Sequence, residues 1–238
     1  AYTENKIATA INTAIVLSDV DNTTFASATV TVKDASNNVL AEDVLSFTNV
    51  SMGNISGSFA DGVMTLTSAG NTATKAQWEA ALHAVAYSNT SDNASTSTRT
   101  VSYKVNDGAA DSNAITSTIN VTVANDAPVI VTPTTTLTTL EDTATSFVIA
   151  DQLAGKVTDA EGTALKGIVI VQNTSTNGTW AYSTDGSNWT DFPTTYLGLV
   201  DWTKVMYLNA SDSLRFTPNA NANGTVLGDL NFRAVDAT

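Results

Sequence analysis

The sequence of 238 residues contains no cysteine and a single histidine, His83. Without cysteine no disulfide can hold the fold, and no thiolate can bind a metal or act as a nucleophile. Nucleophilic triads usually pair the nucleophile with a histidine, and glycosidases need two carboxyl groups around a sugar site, for which no motif is present. We therefore predict that the chain is not an enzyme, and we interpret His83 as a solvated helix residue rather than a metal ligand.

Basic residues are scarce, with 10 Lys and Arg against 23 Asp and Glu and a formal charge of −13. This balance argues against nucleic acid or an anionic membrane as a partner, because both attract basic surfaces. It suits a protein that recruits divalent cations. No apolar run approaches the ~20 residues that span a bilayer, so we expect no membrane insertion. No signal peptide is present, and we expect the sequence to be an internal segment of a longer chain.

Short alternating apolar and polar runs are abundant, and they predict an all-β protein. Ala28, Val30 and Val32 alternate with threonines in the manner of a half-buried strand. Asp61-Gly62 separates two such runs and predicts a hairpin turn. By the same rule Asp185-Gly186 predicts a hairpin with Tyr182 opposite Trp189.

Residues 74–85 break the β pattern, because Trp78, Leu82 and Val85 recur at helical spacing. This segment predicts a short helix that begins after a capping Thr74 and packs its apolar stripe against the core.

Residues 123–129 form the joint around which the chain is organised. Asn125 and Asp126 end one alternating run, and Pro128 holds the chain extended before the next run begins. The length of the chain accommodates two domains, so we place a first domain at residues 1–126 and a second at 127–238. We expect the joint to be short and stiff.

Several acidic residues stand where a loop could bring their oxygens to one cation. Asp19 and Asp21 are one residue apart, and a tight loop could turn both toward a Ca²⁺ ion, which takes 6–8 oxygen ligands. Each such group has a simpler alternative. Asp19 and Asp21 could merely stabilise a turn, Asn125 and Asp126 could be a strand terminator, and Asp107-Gly108 could be an ordinary turn.

The second half repeats part of the plan of the first half. Three pairs of segments match in order: 2–5 with 138–142, 17–22 with 157–162, and 101–107 with 230–236. The strand predicted at residues 115–123 has no counterpart in the second half, so we expect the second domain to lack its last strand in this sequence.

Taken in order, these motifs resemble the bacterial cadherin-like tandem repeats of large RTX-type surface adhesins. The motifs are Tyr-Thr-Glu-Asn at 2–5, Asp-Val-Asp-Asn at 19–22, Asn-Asp-Gly at 106–108 and Asn-Asp-Ala-Pro at 125–128. Residues 178–180, 215–218 and 232–236 are similar to another repeat type of the same proteins. The resemblance implies tandem Greek-key (cadherin- or immunoglobulin-like) β-sandwiches with Ca²⁺ at the domain junctions, secreted to the bacterial cell surface in an adhesive or biofilm setting.

The resemblance also implies a ligand set for each junction. The junction inside this chain would take Glu4, Asn125, Asp126, Asp159, Glu161 and Asp236. A junction with a preceding domain would take Asp19, Asp21 and Asp107, and one with a following domain Glu141 and Asp142. The single Asp in the linker and the Glu at position 161 depart from the pattern of the animal cadherins, so the number of ions stays open.

Two functions are compatible with these features. In the first, Ca²⁺ stiffens an extender segment that holds a distal binding module away from the cell; its partners are the neighbouring repeats of the same polypeptide, and the protein is a monomer. In the second, domain 2 is a binding module that recognises a glycan or another adhesin. Its candidate aromatic platform comprises Trp180, Tyr182, Trp189 and Trp202. Exposed aromatics would favour the second function, and buried ones the first.

Overall fold

The computed structural model of the chain describes residues 1–132, 137–193, 196–197, 206–222 and 230–236. The chain divides into two compact units, here called unit 1 (Ala1–Ala124) and unit 2 (Asn125–Thr238), so that Asn125 and Asp126 fall in unit 2. Both units consist mainly of strands in antiparallel sheets, which confirms the all-β prediction.

Unit 1 is built on a five-stranded antiparallel sheet with the order β5-β6-β3-β8-β9 and a three-stranded sheet with the order β2-β7-β4. Its first and last strands, β1 and β10, pair in parallel, with Tyr2 opposite Val121. The strands are β1 (Tyr2–Thr3), β2 (Thr9–Ala10), β3 (Ser27–Asp34), β4 (Asp43–Ser46), β5 (Ile55–Ala60), β6 (Val63–Ser68), β7 (Ala86–Asn89), β8 (Arg99–Asn106), β9 (Ile115–Ile119) and β10 (Val121–Thr122).

The core of unit 1 draws on both sheets, in the manner of a sandwich. In β3 the side chains of Ala28, Val30 and Val32 are buried, as their alternation predicts. The three-stranded sheet contributes Leu45 of β4 and Tyr87 of β7, which belong to the same buried cluster. Each fully buried aliphatic side chain of this kind contributes about 1.5–3 kcal/mol.

Helix α1 (Lys75–His83) lies where the sequence predicts it. Thr74 caps it, because its hydroxyl accepts from the Gln77 amide while the Gln77 side chain accepts from the Thr74 amide. Trp78 and Leu82 are fully buried in the core. His83 is not simply solvated, since it is half-buried and its Nε2 lies 2.8 Å from the Ile15 carbonyl oxygen.

Unit 2 has a four-stranded sheet with the order β12-β19-β15-β16 and a second sheet in which β14 pairs with β17, β18 and β20. Strands β11 and β13 form a separate pair. The strands are β11 (Val129–Ile130), β12 (Thr145–Val148), β13 (Val157–Thr158), β14 (Leu165–Asn173), β15 (Gly178–Ser183), β16 (Thr190–Asp191), β17 (Tyr196–Leu197), β18 (Met206–Asn209), β19 (Ser213–Pro218) and β20 (Leu230–Asp236).

The core of unit 2 also takes side chains from both of its larger sheets. Ile168 and Ile170 of β14 belong to one buried cluster with Leu214 and Phe216 of β19. A short helix that the sequence analysis did not predict, α2 (Ile149–Leu153), buries its two end residues in the same cluster. Five residues are too few for a helical period to stand out in a sequence.

The predicted hairpin turn at Asp61-Gly62 is confirmed, whereas the predicted register after Asp185-Gly186 is wrong. Asp61 and Gly62 both have positive φ, 49° and 74°, as a two-residue turn of this type needs. In the second hairpin Tyr182 lies opposite Thr190 instead of Trp189. A longer loop joins these strands, which moves Trp189 to the other face of the sheet from Tyr182.

Three further expectations concern residues 138–142, Trp202 and the last strand of the second domain. Residues 138–142 contain no strand, unlike Tyr2–Thr3 at the matching place in unit 1, although Asn5 and Asp142 both turn the chain with positive φ, 58° and 57°. Trp202 lies outside the described residues. So do residues 237 and 238, and the missing last strand of the second domain stays a prediction.

Candidate metal centre

Asp19 and Asp21 lie in the loop that leads into β3. Asp19 Oδ1 accepts hydrogen bonds from the backbone amides of Asp21 at 3.0 Å and Asn22 at 2.8 Å. The Asn22 side chain donates to Asp107 Oδ2 at 2.9 Å, and Asp107 follows β8. The structure thus brings the Asp19 loop and Asp107 together at one end of unit 1.

Backbone hydrogen bonds also favour the charged forms of Asp19 and Asp107. Backbone N–H donors, that of Asn22 foremost, hold the pKa of Asp19 below its usual value. Amides of Ala110 and Ala109 do the same for the pKa of Asp107, against the opposing effect of the Asp19 charge. Both carboxylates are therefore ionised at neutral pH. The turn-stabilising role considered for these residues is present, and a metal role stays a prediction.

Glu4 is one of the few buried charged residues of unit 1, with 1% of its surface exposed. Its two carboxylate oxygens each accept one backbone amide, Oε2 from Ala94 at 2.6 Å and Oε1 from Ala124 at 2.9 Å. A carboxylate oxygen has two lone-pair sites, so each oxygen keeps one acceptor site after these bonds are made.

The first two residues of unit 2, Asn125 and Asp126, are predicted ligands, and each forms a hydrogen bond to another predicted ligand. The Asn125 side chain donates to Asp236 Oδ2 at 2.8 Å, which joins the start of the unit to the end of β20. The Asp126 amide donates to Glu161 Oε2 at 3.2 Å. Asp236 is buried, whereas Asp126 and Glu161 are half-buried.

Asp159 belongs to the same group and is held by its own loop. Its Oδ1 accepts from the Thr163 amide and from the Thr163 hydroxyl, both at 2.9 Å. These bonds lower the pKa of Asp159, the Thr163 amide contributing most, with a smaller contribution from Glu161. Among the described residues Asp159 Oδ2 and Glu161 Oε1 are buried yet have no hydrogen-bond partner. Buried carboxylate oxygens without a partner are costly, and a metal role for them stays a prediction.

Within unit 2, the structure does not bring Glu141 and Asp142 to the ligand group around Asp126 and Asp159. Both are exposed in the turn that follows residue 140. Asp142 Oδ1 accepts from the Asn221 amide at 3.2 Å, which ties this turn to the segment after β19.

Sequence reasoning missed the residues that support the ligands. Thr163 holds Asp159, and Asn22 connects the Asp19 loop to Asp107. A hydroxyl four residues after an Asp and an Asn directly after an Asp-x-Asp motif are the signals that could have revealed them. The sequence analysis also overlooked the buried ion pair between Arg99 and Asp43 in unit 1, because nothing local relates residues 56 positions apart.

The aromatic residues of the predicted platform are packed against other side chains where the structure describes them. Trp180 is 8% exposed and packs with Phe216 in the core of unit 2, their ring centroids 5.1 Å apart. Tyr182 packs against Phe192 at 5.2 Å. Trp189 is half-buried, and the Arg215 guanidinium lies 4.4 Å from the centroid of its ring.

No protein-family model, curated protein or solved structure matches this chain significantly. Along the part of the chain that the structure describes, no helix combines the length and apolar character needed to cross a membrane.

Proposed function

We propose that the chain is a calcium-stiffened extender segment of a large bacterial cell-surface adhesin, built from cadherin-like Greek-key sandwiches. The observation that carries this proposal is the ligand group of unit 2. Three of its carboxylates, those of Asp126, Asp159 and Glu161, lie in two loops near the point where the unit begins. Two of their buried oxygens have no hydrogen-bond partner among the described residues.

The chemistry of the group fits a hard cation. Every side chain in it offers oxygen, from the Asn125 amide and from carboxylates, and Ca²⁺ prefers oxygen ligands. Zinc and copper sites rely on sulfur or imidazole, and the chain contains no cysteine and one histidine. The ion would supply positive charge at the two unpartnered oxygens, while hydrogen bonds from Thr163 and Asn125 orient Asp159 and Asp236 around it.

Glu4 is proposed as the contribution of unit 1 to the same ion. Its carboxylate is bonded to the amide of Ala124, the last residue of unit 1, and Asp126 follows two residues later in the chain. Its free lone pairs are available to a cation. Asp19, Asp21 and Asp107 would serve a preceding neighbour in the same way, and Glu141 and Asp142 a following one.

The contacts of the aromatic side chains favour the extender over the binding module. Trp180 and Tyr182 fill the core of unit 2, and one ring face of Trp189 is covered by Arg215. A sugar-stacking platform would leave several ring faces open to solvent. We propose secretion to the cell surface and neighbouring repeats of the same polypeptide as the partners of this segment.

The proposal predicts that calcium stabilises the chain. A ligand that binds only the folded state adds about 2.7 kcal/mol at a hundredfold excess over its Kd, and extracellular calcium modules have Kd values of roughly 10⁻⁴–10⁻³ M. The melting temperature should therefore rise as calcium increases to about 10 mM and return to its starting value with EGTA. An unchanged melting curve over this range would contradict the proposal.

A matched pair of variants locates the effect. Glu161→Gln keeps an oxygen that can accept from the Asp126 amide but replaces one charged ligand oxygen, so it should reduce the calcium-dependent rise. Asp191→Asn removes a charge at an exposed strand residue of the same unit and should retain the full rise. Equal responses of the two variants would show that any bound calcium lies elsewhere.

A further inference from the structure

Unit 1 buries a complete guanidinium group that the proposed ligand set does not explain. Arg99, at the start of β8, has no exposed side-chain surface. Its Nε donates to both oxygens of Asp43, at 3.2 and 3.0 Å, and its Nη2 pairs with Glu42 Oε1. Asp43 is itself held by the Tyr87 hydroxyl at 2.6 Å and by the Asn89 side chain at 3.1 Å. Burial by itself lowers the pKa of Arg99, but the hydrogen bond and charge of Asp43, together with the charges of Tyr87 and Glu42, outweigh it and raise that pKa.

The rest of this network grips the loop that precedes β8. Arg99 Nη1 donates to the carbonyl oxygens of Ser95, at 2.6 Å, and of Ser97. Glu42 Oε1, which accepts from Arg99, also accepts from the Ser95 amide at 3.0 Å. Both polar groups of the Ser95 backbone are therefore fixed, one by each partner of the ion pair.

The residue before Ser95 is the one that holds Glu4. Ala94 is buried, and its amide donates to Glu4 Oε2 at 2.6 Å. The path from Arg99 and Glu42 to the Glu4 carboxylate thus runs through two consecutive residues, Ser95 and Ala94. The position of the Ala94 amide depends on where the network places Ser95.

We propose that Arg99 and Glu42 are positioning residues that set the Glu4 carboxylate before a cation arrives. The inference rests on the proposed function, since it treats Glu4 as a calcium ligand. A carboxylate that is already ordered loses less conformational entropy when a cation binds, and the cation therefore binds more tightly. Residues that orient metal ligands change metal affinity by about 10–100-fold when mutated, and Glu42 and Arg99 would act on Glu4 indirectly, through Ser95 and Ala94.

Two substitutions at Glu42 separate the effect of its side-chain length from the effect of its charge. Glu42→Gln loses the charge but retains an oxygen at the place where Arg99 and the Ser95 amide donate. Glu42→Asp retains the charge but draws the carboxylate back by one methylene. Both variants leave the Arg99–Asp43 pair intact, and Glu42 is 20% exposed, so both should fold. Circular dichroism in EGTA checks this.

Calcium titration calorimetry gives the first readout. Glu42→Asp should weaken calcium binding by about tenfold, the low end for a ligand-orienting residue, whereas Glu42→Gln should bind like the wild type. The opposite order would show that Glu42 acts through its charge and would overturn the proposal. Wild-type affinity in both variants would also overturn it.

Amide hydrogen exchange in EGTA gives a second readout that needs no metal. In the wild type and in Glu42→Gln the Ala94 and Ala124 amides should be protected, because Glu4 holds both. In Glu42→Asp the Ala94 amide should exchange faster, while Val30 and Tyr103 in the sheet keep their protection. Uniform loss of protection would indicate a merely structural role and overturn the proposal. If the wild type binds no calcium at all, the proposed function fails, and the exchange result still decides whether this network positions Glu4.

Discussion

Asp61 and Asp185 each precede a glycine, yet they build different turns. At Asp61 both turn residues adopt positive φ, and the strands close on two residues. At Asp185 only Gly186 has positive φ. The Asp185 carboxylate instead accepts from the amides of Ser187 at 2.8 Å and Asn188 at 2.7 Å, which stabilises a longer loop. The residue type is the same, and the hydrogen bonds available to its carboxylate decide the outcome.

Asp185 should make the stability of the protein depend on pH. Its hydrogen bonds, those from Asn188 foremost, lower the pKa of Asp185 well below its ordinary value of 3.8. A carboxyl whose pKa is lower in the native than in the unfolded state stabilises the fold at pH values above its unfolded-state pKa. This stability is lost as pH falls through the native-state pKa. Replacing Asp185 with Asn should therefore lower the melting temperature near pH 6 and flatten its decline below pH 4. Thermal scans of both proteins across this range test the prediction, and parallel curves would contradict it.

Helix α1 is the element whose sequence signals and tertiary contacts agree most closely. Its capping box lies at the predicted N-terminus, and its apolar stripe is fully buried. The strands show a different balance. Alternation located β3, but it did not specify its partners, and the register of β15 against β16 differs by one residue from the sequence-based prediction. A one-residue shift exchanges the two faces of a strand, which is why Trp189 meets Arg215 on the opposite face from Tyr182.

Removal of the helix cap should destabilise unit 1 measurably. The Thr74 hydroxyl accepts from the Gln77 amide, and loss of such a cap costs about 0.5–2 kcal/mol. Thr74→Ala should lower the free energy of unfolding by this amount in urea titrations. Thr23→Ala, at an exposed loop position, is a suitable control and should have little effect. Equal stability of the two variants would show that core packing alone maintains the helix.

At the scale of the whole molecule, the proposal concerns the freedom of the two units. The linker region around Asp126 contains no large apolar side chain, and domains without a substantial interface move relative to each other by default. On this proposal the clustered carboxylates repel one another without a cation and would become its ligands when one is bound. We therefore expect calcium to restrict this motion.

Small-angle scattering of a double variant tests that expectation. In the wild type, EGTA should shorten and broaden the distance distribution that is measured in calcium. Asp126→Ala with Asp159→Ala should show the broadened distribution even in millimolar calcium, since two proposed ligands are absent. Asp151→Ala with Asp191→Ala removes the same charge from exposed positions of unit 2 and should behave like the wild type. A double ligand variant as extended as the wild type would contradict the calcium-joint proposal.

The sequence by itself determined the local features of this protein. Period-two alternation located strands such as β3, helical spacing and Thr74 located α1, and Asp61-Gly62 located a two-residue turn, because each depends on residues a few positions apart. Tertiary structure decided the long-range pairs. Asn125 reaches Asp236 across 111 positions, and Arg99 reaches Asp43 across 56. Such pairs form only after strands have chosen neighbours and register, and that choice depends on how both sheets bury their apolar faces together.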